Sequence, residues 1–350
     1  MNRRWICNDV WMDILPSFDR PQLGLNLALL SDRFDCLVDK HFDGKTTELT
    51  IWRTIAISRN IEKPKAQLCT GWMAMDFPLP DRPLPNKIRF KNLRIGYIDY
   101  SVIAFLRSSK RSFDTIGTKL ELFIEHCDQS IWDVFIREIW PIVATNIRHF
   151  TLNDRDHLAN LCRRISPTIL TDLNINSLES TDLFPDVIAD DGPNATAGQV
   201  LAKWLHTPSK DGRPKRLHCR DYYGRPKNFG WVNNLKEEFP RAISSASYII
   251  RIDCVIIMPT EPFELVNERT KEKLTLEKVS RYDDVNLLLK RCPIIVGETT
   301  ATVQWENDKN WDNNYLNYVQ FELWRGNHSI GPLSPPSTDE EADQSIENVV

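Results

Sequence analysis

The sequence contains no CxxC pair, no HxxxH spacing and no apolar run approaching the roughly twenty residues that span a bilayer. Each absence removes a class of function. Without paired cysteines, the eight at 7, 36, 69, 127, 162, 219, 254 and 292 predict free thiols in a reducing compartment, not a disulfide framework or a zinc ribbon. Without two histidines one helical turn apart, no zinc site forms on a helix face, and neither a metal nor another cofactor is expected. Without a spanning segment, no membrane association is expected. The opening MNRRWICNDVWMDILPSF also lacks the apolar stretch of a secretory signal, because Asn8, Asp9 and Asp13 interrupt it. A cytoplasmic and/or nuclear protein is the expectation.

An excess of either charge is missing too. The 350 residues carry 44 bases and 48 acids, and five of the acids (Asp339, Glu340, Glu341, Asp343, Glu347) lie in the last eighteen residues, leaving 43 acids against 44 bases. A body this close to neutral does not point to nucleic acid. The basic stretches SSKRS and SKDGRPKR are short, lack flanking aromatics and read as solvated loops.

Catalytic patterns are equally thin. His218-Cys219 beside Asp221 and Tyr222 suggests a thiol nucleophile, but neighbours in a strand point to opposite faces, and a base must reach its nucleophile. GPNATAG at 192–198 has the wrong glycine spacing for a phosphate loop and no Lys-Ser/Thr; Asn194 or Thr196 fits better as a helix cap. Asp190-Asp191 lacks the array of oxygen ligands a calcium loop needs. No catalytic residue is assigned, and the chain is not expected to be an enzyme.

What the sequence does have begins at the N-terminus. Asn8 and Asp9 suit a helix cap before Val10, Ile14, Leu15 and Phe18, and Pro16 ends or bends that helix. Asp19 offers a second cap with Pro21 just inside the next helix, along which Leu23, Leu27, Leu30, Phe34, Leu37 and Val38 recur at helical spacing. Leu25, Leu29 and Cys36 lie off that stripe, so more than one face is apolar. A helical piece of about forty residues sits at the margin of independent folding. Its surplus apolar area must pack on the following strand region or on a partner.

Residues 48–57 alternate like a strand, and FPLPDRPLPNK at 77–87 is extended or turning and predicts a boundary. Beyond it strands precede helices: 88–98 before SVIAFLRSS, 119–125 before SIWDVFIREIWPIVA, 147–153 before DRDHLANLCRRI, then LTDLNIN at 170–176. Strand centres fall about 24 to 28 residues apart, within the range of leucine-rich-repeat-like solenoids, and a parallel sheet is the expected product. Helix TAGQVLAKWLHT feeding PKRLHC and helix VNNLKEEFPRAI feeding ASYIIRIDCVII continue it. After Pro259, a hairpin about Asn267–Lys271 and the runs VNLLLKRCP, TATVQWE and LNYVQFELWR predict an antiparallel sheet capping the solenoid. From Gly331 the Pro/Ser-rich, then acidic tail predicts disorder.

The N-terminal residues, written I6-C-N-D-V-x-x-D-I-L-P-x-F, R20-P-Q-L and L27-A-L-L-S-D-R-F-D-C-L-V, resemble the F-box, a three-helix module. Ile6-Cys7 stand where that family commonly has Leu-Pro, and Phe34 stands for its tryptophan. LPNKIRFKNLRIGYIDYSVIAFLR, GPNATAGQVLAKWLHTPSKDGRPKRL, EPFELVNERTKEKLTLEKV, LLLKRCPI and GPLSPP are similar to segments of a lineage-expanded family of F-box domain-containing proteins from plant-parasitic nematodes. The resemblance implies an F-box-like module at 1–45 in front of a recognition domain, and together with the residue patterns this gives an α+β chain with a strand-containing, Pro-rich connector at 46–87. An α/β repeat-like recognition domain at 88–258, an antiparallel region at 259–330 and the tail at 331–350 complete it. It further implies a substrate-recognition adaptor of a Skp1-cullin-F-box ubiquitin ligase, or a non-ligase scaffold keeping the same fold. The Skp1-binding residues would be Ile6, Val10, Ile14, Leu15, Pro21, Leu23, Leu27, Leu30, Phe34 and Leu37, with the protein substrate unidentified.

Overall fold

The computed structural model describes residues 6–19, 22–42, 49–59, 66–70, 75–80, 88–110, 113, 118–125, 128–173, 175–210, 212–221, 230–254, 261–281, 284–294, 317–323 and 329–335. The fold is α+β, in two units: Met1–Ile116 with Asp128–Val143 and Leu316–Val350, and Gly117–Cys127 with Ala144–Tyr315.

The first unit opens with helix α1 (Asn8–Ile14), which tightens into a 3-10 turn over Leu15–Ser17 at Pro16 before Phe18 turns extended. The helix starts one residue earlier than expected: Cys7 is the N-cap and offers no side-chain bond. Asn8 is therefore inside the helix, and its Oδ1 accepts instead from Arg33 Nε (3.0 Å) and Nη2 (2.8 Å). The second cap forms as the sequence predicts. Asp19 Oδ1 accepts from the Gln22 amide (2.9 Å) while Gln22 Oε1 accepts from the Asp19 amide (3.1 Å), a reciprocal capping box.

The long leucine stripe then divides. Helix α2 is a π turn over Leu23–Leu27 followed by a 3-10 turn over Ala28–Leu30, and Ser31 is fully extended before helix α3 (Asp32–Phe42). Ser31 Oγ lies 3.5 Å from the Phe34 amide, and its carbonyl accepts the first bond of α3 from Asp35 N at 3.0 Å, so the extended serine ends α2 and caps α3.

In the same unit, strands β1 (Leu49–Arg59), β2 (Ala66–Thr70) and β3 (Met75–Pro78) form an antiparallel series. Strand β4 (Ile88–Ile95), which follows the Pro-rich stretch, pairs parallel with β1, so the two sides of that stretch share one sheet. Residues 81–87 of the stretch lie outside the described residues. Helices α4 (Tyr100–Ser108) and α5 (Gln129–Val134) are each started by an Asp-x-Ser cap. Asp99 accepts from Ser101 and Val102 amides at 2.9 Å, and Asp128 from Ser130 (3.0 Å) and Ile131 (3.2 Å). A π turn over Phe135–Ile139 extends α5 and buries Phe135 edge-on to Phe321 at 5.2 Å.

The second unit is built on strands β5 (Thr118–Ile124), β6 (Ile147–Leu152), β7 (Ser177–Thr181), β8 (Lys215–Asp221) and β9 (Tyr248–Cys254), paired in parallel in chain order. Between them run helices α6 (Arg155–Arg164), α7 (Ile169–Asp172), α8 (Ala197–His206) and α9 (Gly230–Glu238). The described residues of 170–176, a stretch expected as a strand, open in α7, and β7 begins only at Ser177. The hydroxyls of Ser166 and Thr168 (2.7 Å apart) and the bond from Thr168 to Asp172 (2.7 Å) close a helical turn that the apolar alternation does not reveal.

Strands β10 (Phe263–Asn267), β11 (Glu272–Arg281) and β12 (Asp284–Pro293) add antiparallel to β9, with the expected hairpin turn between Asn267 and Glu272. TATVQWE lies outside the described residues. LNYVQFELWR does not join this antiparallel set. Its strand β13 (Asn317–Leu323) belongs to the first unit and runs parallel to β4, burying Val319, Phe321 and Leu323 there. Among the described residues no helix is long and apolar enough to cross a membrane.

The tail's first residues are ordered, against expectation. Ile330 bridges Ile98, Ile98 N donates to Ser329 O (2.8 Å), Gly331 N to Ile98 O (2.8 Å) and Tyr100 N to Pro332 O (2.9 Å). Those backbone bonds outweigh the disorder-prone composition; residues 336–350 lie outside the described residues. At Gly331 a methyl group would overlap the Tyr97 hydroxyl, which only glycine avoids. Gly331→Ala is therefore expected to destabilise the fold by about 1–3 kcal/mol in chemical denaturation. Adding Tyr97→Phe should recover part of the loss; additive losses would contradict the contact.

Candidate functional site

The ten residues implicated at the N-terminus divide by burial. Leu15, Leu23, Leu27 and Leu37 are buried and, with Val38 and Phe42, make the module's own core. Each such leucine stabilises the fold by about 1.5–3 kcal/mol through burial alone. Ile14 is half-buried, and Phe34 packs edge-on to Trp11 at 4.8 Å. Pro21 lies outside the described residues. Ile6 (46 % exposed), Val10 (45 %) and Leu30 (64 %) are turned to solvent. Arg33 links the first and third helical pieces by donating to Asn8 Oδ1 and to the Ile6 carbonyl, which fixes the start of α1 against α3.

In the second unit the pairing register assembles charges that are far apart in sequence. One row across the parallel strands reads Leu120, Phe150, Leu178, Leu217, Ile250, each the registered partner of the next, and every one is buried. The row one residue further along each chain reads Glu121, Thr151, Glu179, His218, Arg251 and points to the opposite face. Ion pairs cross-link that face. Glu179 takes Arg220 Nη2 at 2.5 Å and lies 4.0 Å from Lys119 Nζ and from His218 Nδ1. His218 Nε2 is 2.6 Å from Asp253 Oδ2, and Arg251 Nε donates to Asp253 Oδ1 at 2.8 Å. Burial alone would raise the Asp253 carboxyl, but the His218 and Arg251 partners outweigh it and hold it below the usual carboxylate range.

His218 and Cys219 accordingly face opposite sides. His218 joins the charged row, and Cys219 is fully buried on the apolar face, its sulfur 3.8 Å from Ser180 Oγ. The two cannot act as a base and nucleophile pair. Asp190 is committed to a local turn, its Oδ1 accepting from Gly192 N at 3.0 Å, and no group of three metal-ligating residues occurs among the described residues. Thr196 is the α8 cap: its Oγ1 accepts from Gln199 N (3.1 Å) and Gln199 Oε1 accepts from Thr196 N (2.8 Å).

Sequence reading missed a second cluster, beneath the antiparallel strands. Arg291 and Glu272 form a buried ion pair, Nη2 to Oε2 at 2.7 Å and Nε to Oε2 at 3.1 Å. Arg291 also donates to the Ser244 carbonyl (2.7 Å), and Glu272 Oε1 accepts from Ala246 N (2.7 Å). Asn267 donates to the Phe239 (2.7 Å) and Ala242 (2.9 Å) carbonyls. Polar residues where alternating strands meet the hairpin, Asn267 closing β10, Glu272 opening β11 and Arg291 near the end of β12, were the available signal. The cluster forms one wall of a cleft of about 860 Å³ between α8 and α9, whose floor includes His206, Tyr248 and Arg291. A second cleft of about 1160 Å³ lies across the 182–189 loop, bounded by α6 and by the start of α9.

No family model matches the chain, and no curated protein matches it.

Two histidines in this unit are held neutral. Burial, then the charges of Lys119, His218 and Arg216, push His149 down to about 3; burial, then Arg291, push His206 down to about 4. Below an unfolded value near 6.5 the unfolded chain binds the protons the folded chain refuses, so stability is complete above that pH and is lost on acidification. Unfolding free energy should fall between pH 6.5 and 4. The double variant His149→Gln, His206→Gln should flatten that slope, and an unchanged slope would contradict the assignment.

Proposed function

We propose that the chain is a non-catalytic recognition adaptor that recruits a Skp1-like protein, and through it a cullin, with its N-terminal helices, and a protein substrate with its α/β unit. The observation that carries this reading is the division of the N-terminal apolar residues. Leu15, Leu23, Leu27 and Leu37 complete a core inside the module, while Ile6, Val10 and Leu30 remain outside it. A module that satisfies its core and still exposes three large apolar side chains has apolar surface left for a partner. The F-box-like pattern in the sequence names the partner's class.

The second unit supports the recognition half. Five parallel strands in chain order, with helices between them, are the arrangement a leucine-rich-repeat-like solenoid would give, and such solenoids present one sheet face to partners. The ligase reaction itself would belong to the bound machinery, with this chain holding substrate near the charged ubiquitin carrier and so raising its effective concentration. A scaffold that recruits no ligase is the second reading, and one contact favours it: the Phe34 ring is engaged by Trp11 within the module.

The burial pattern selects the residues for the test. Charge at Leu23 or Leu27 would unfold the module, since both are buried. Charge at Ile6, Val10 and Leu30 should leave the fold intact. The triple aspartate variant is expected to lower co-purification of a Skp1-like protein by about tenfold or more with an unchanged melting temperature. Equal co-purification by the folded variant would exclude this surface, and none by the wild-type chain would favour the scaffold.

A further inference from the structure

The clefts of about 860 and 1160 Å³ share a wall: Pro185, Asp186, Val187 and Trp231 line both. The chain forming this partition is firm at its root. Asp182 leaves β7 in the left-handed region (φ 57°) with its amide bonded to the Arg220 carbonyl (2.9 Å), and Leu183 and Pro185 are buried. Beyond that root residues 186–190 are all exposed, Val187 by 42 % and Ile188 by 68 %, so no buried side chain anchors them. A segment with so little buried apolar surface opens at a lower free energy than the core beside it.

Three hydrogen bonds moor the segment to the start of α8. Asp186 N donates to the Gly198 carbonyl (3.0 Å), Asp190 N to the Gln199 carbonyl (3.2 Å), and Thr196 Oγ1 to the Asp186 carboxylate. The carboxylate fits there because residue 198 is glycine: an added Cβ would stand 2.6 Å from its Cγ. The bond to Thr196 is exposed, where a single hydrogen bond contributes little. The closed arrangement also leaves a polar group unsatisfied. Trp231 is 7 % exposed, and its indole N–H has no acceptor. An opening that admits water or a bound chain to that N–H offsets part of what the mooring bonds lose.

We propose that residues 186–190 are a hinged strap, latched by the Asp186 carboxylate on Thr196, whose opening joins the two clefts into one groove. Asp186 and Val187 are the shared lining residues that move, while Pro185 and Trp231, both buried, stay as a common floor. The latch makes the clefts interdependent. An occupant of either one that displaces Asp186 changes the shape of the other, and the effect is reciprocal. The device lies within the α/β unit and is independent of what the N-terminal helices bind.

The test is hydrogen exchange on the full-length chain, read at the amides of residues 186 and 190 and along β7 and β8. Maleimide labelling of Cys162, which lines the larger cleft, is read in parallel by mass spectrometry of its peptide. In the wild-type chain both strap amides should exchange about tenfold or more faster than the core amides of β7 and β8. Asp186→Ala removes the latch and leaves the Thr196 cap on the Gln199 amide (3.1 Å) in place. It should speed exchange at residue 190 and labelling of Cys162 about tenfold, with β7 and β8 unchanged. Gly198→Ala displaces the same carboxylate and should act alike, and adding it to Asp186→Ala should change little more. Strap amides exchanging at the rate of β7 and β8, or exchange and labelling untouched by Asp186→Ala, would overturn the proposal. A variant that fails to fold speeds β7 and β8 as well, and the wild-type comparison then decides.

Discussion

The in-register parallel pairing of β5 to β9 is the constraint on which the second unit depends. Side chains alternate along a strand, so the registers that align Leu120, Phe150, Leu178, Leu217 and Ile250 also align Glu121, Thr151, Glu179, His218 and Arg251 on the other face. A slip of one residue would bring a polar residue of the other face, such as Glu121, Glu179, His218 or Arg251, into the apolar row. Burying an unpaired carboxylate there costs far more than any single contact on the polar face returns. The ion pairs through Glu179 and Asp253 then reinforce a register that hydrophobic burial already selects. Isolated exposed pairs of this kind contribute little; these are partly buried and share partners, which raises their worth.

From that frame the other features follow. β9 offers its free edge to β12, and Ile250 and Ile252 pair with Leu289 and Leu287, carrying the apolar row into the antiparallel strands. Arg291 and Glu272 then tie those strands to the 244–246 segment, and Asn267 ties the hairpin to 239–242. A carboxylate or guanidinium left alone in that position would cost on the order of 3–5 kcal/mol, so the pair fixes this arrangement even where it adds little net stability. The same bonds set the wall and the floor of the cleft beside α8.

Much of this was legible in the sequence because it is local. The Asp19 capping box, the Thr196 cap, the hairpin about Asn267 and the strand-then-helix alternation each rest on residues within a few positions of one another. What was not legible depends on distant partners. LTDLNIN at 170–176 follows the strand spacing of the segments before it, yet the Thr168 to Asp172 bond and the Ser166 hydroxyl favour a helical turn at its start. β13 has the pattern of any half-buried strand, and nothing in it specifies a parallel place beside β4. Glu179 and Asp253 read as ordinary polar positions on separate strands, and His218 only as the neighbour of a strand thiol, until pairing joins them. The helical stripe from Leu23 to Leu37 mixed residues that point inward with residues that point outward, because Ser31 resets its phase.

That division between an inward core and an outward remainder is the basis of the functional account. Leu15, Leu23, Leu27 and Leu37 stabilise the module; Ile6, Val10 and Leu30 are the side chains a partner would bury. Hydrogen exchange on the full-length chain, with and without a purified Skp1-like adaptor, tests this most directly. The account predicts slowed exchange at amides near Val10 and from Leu30 to Phe34, with no change along β5 to β9. Absence of protection in the N-terminal helices, or protection confined to the α/β unit, would contradict it.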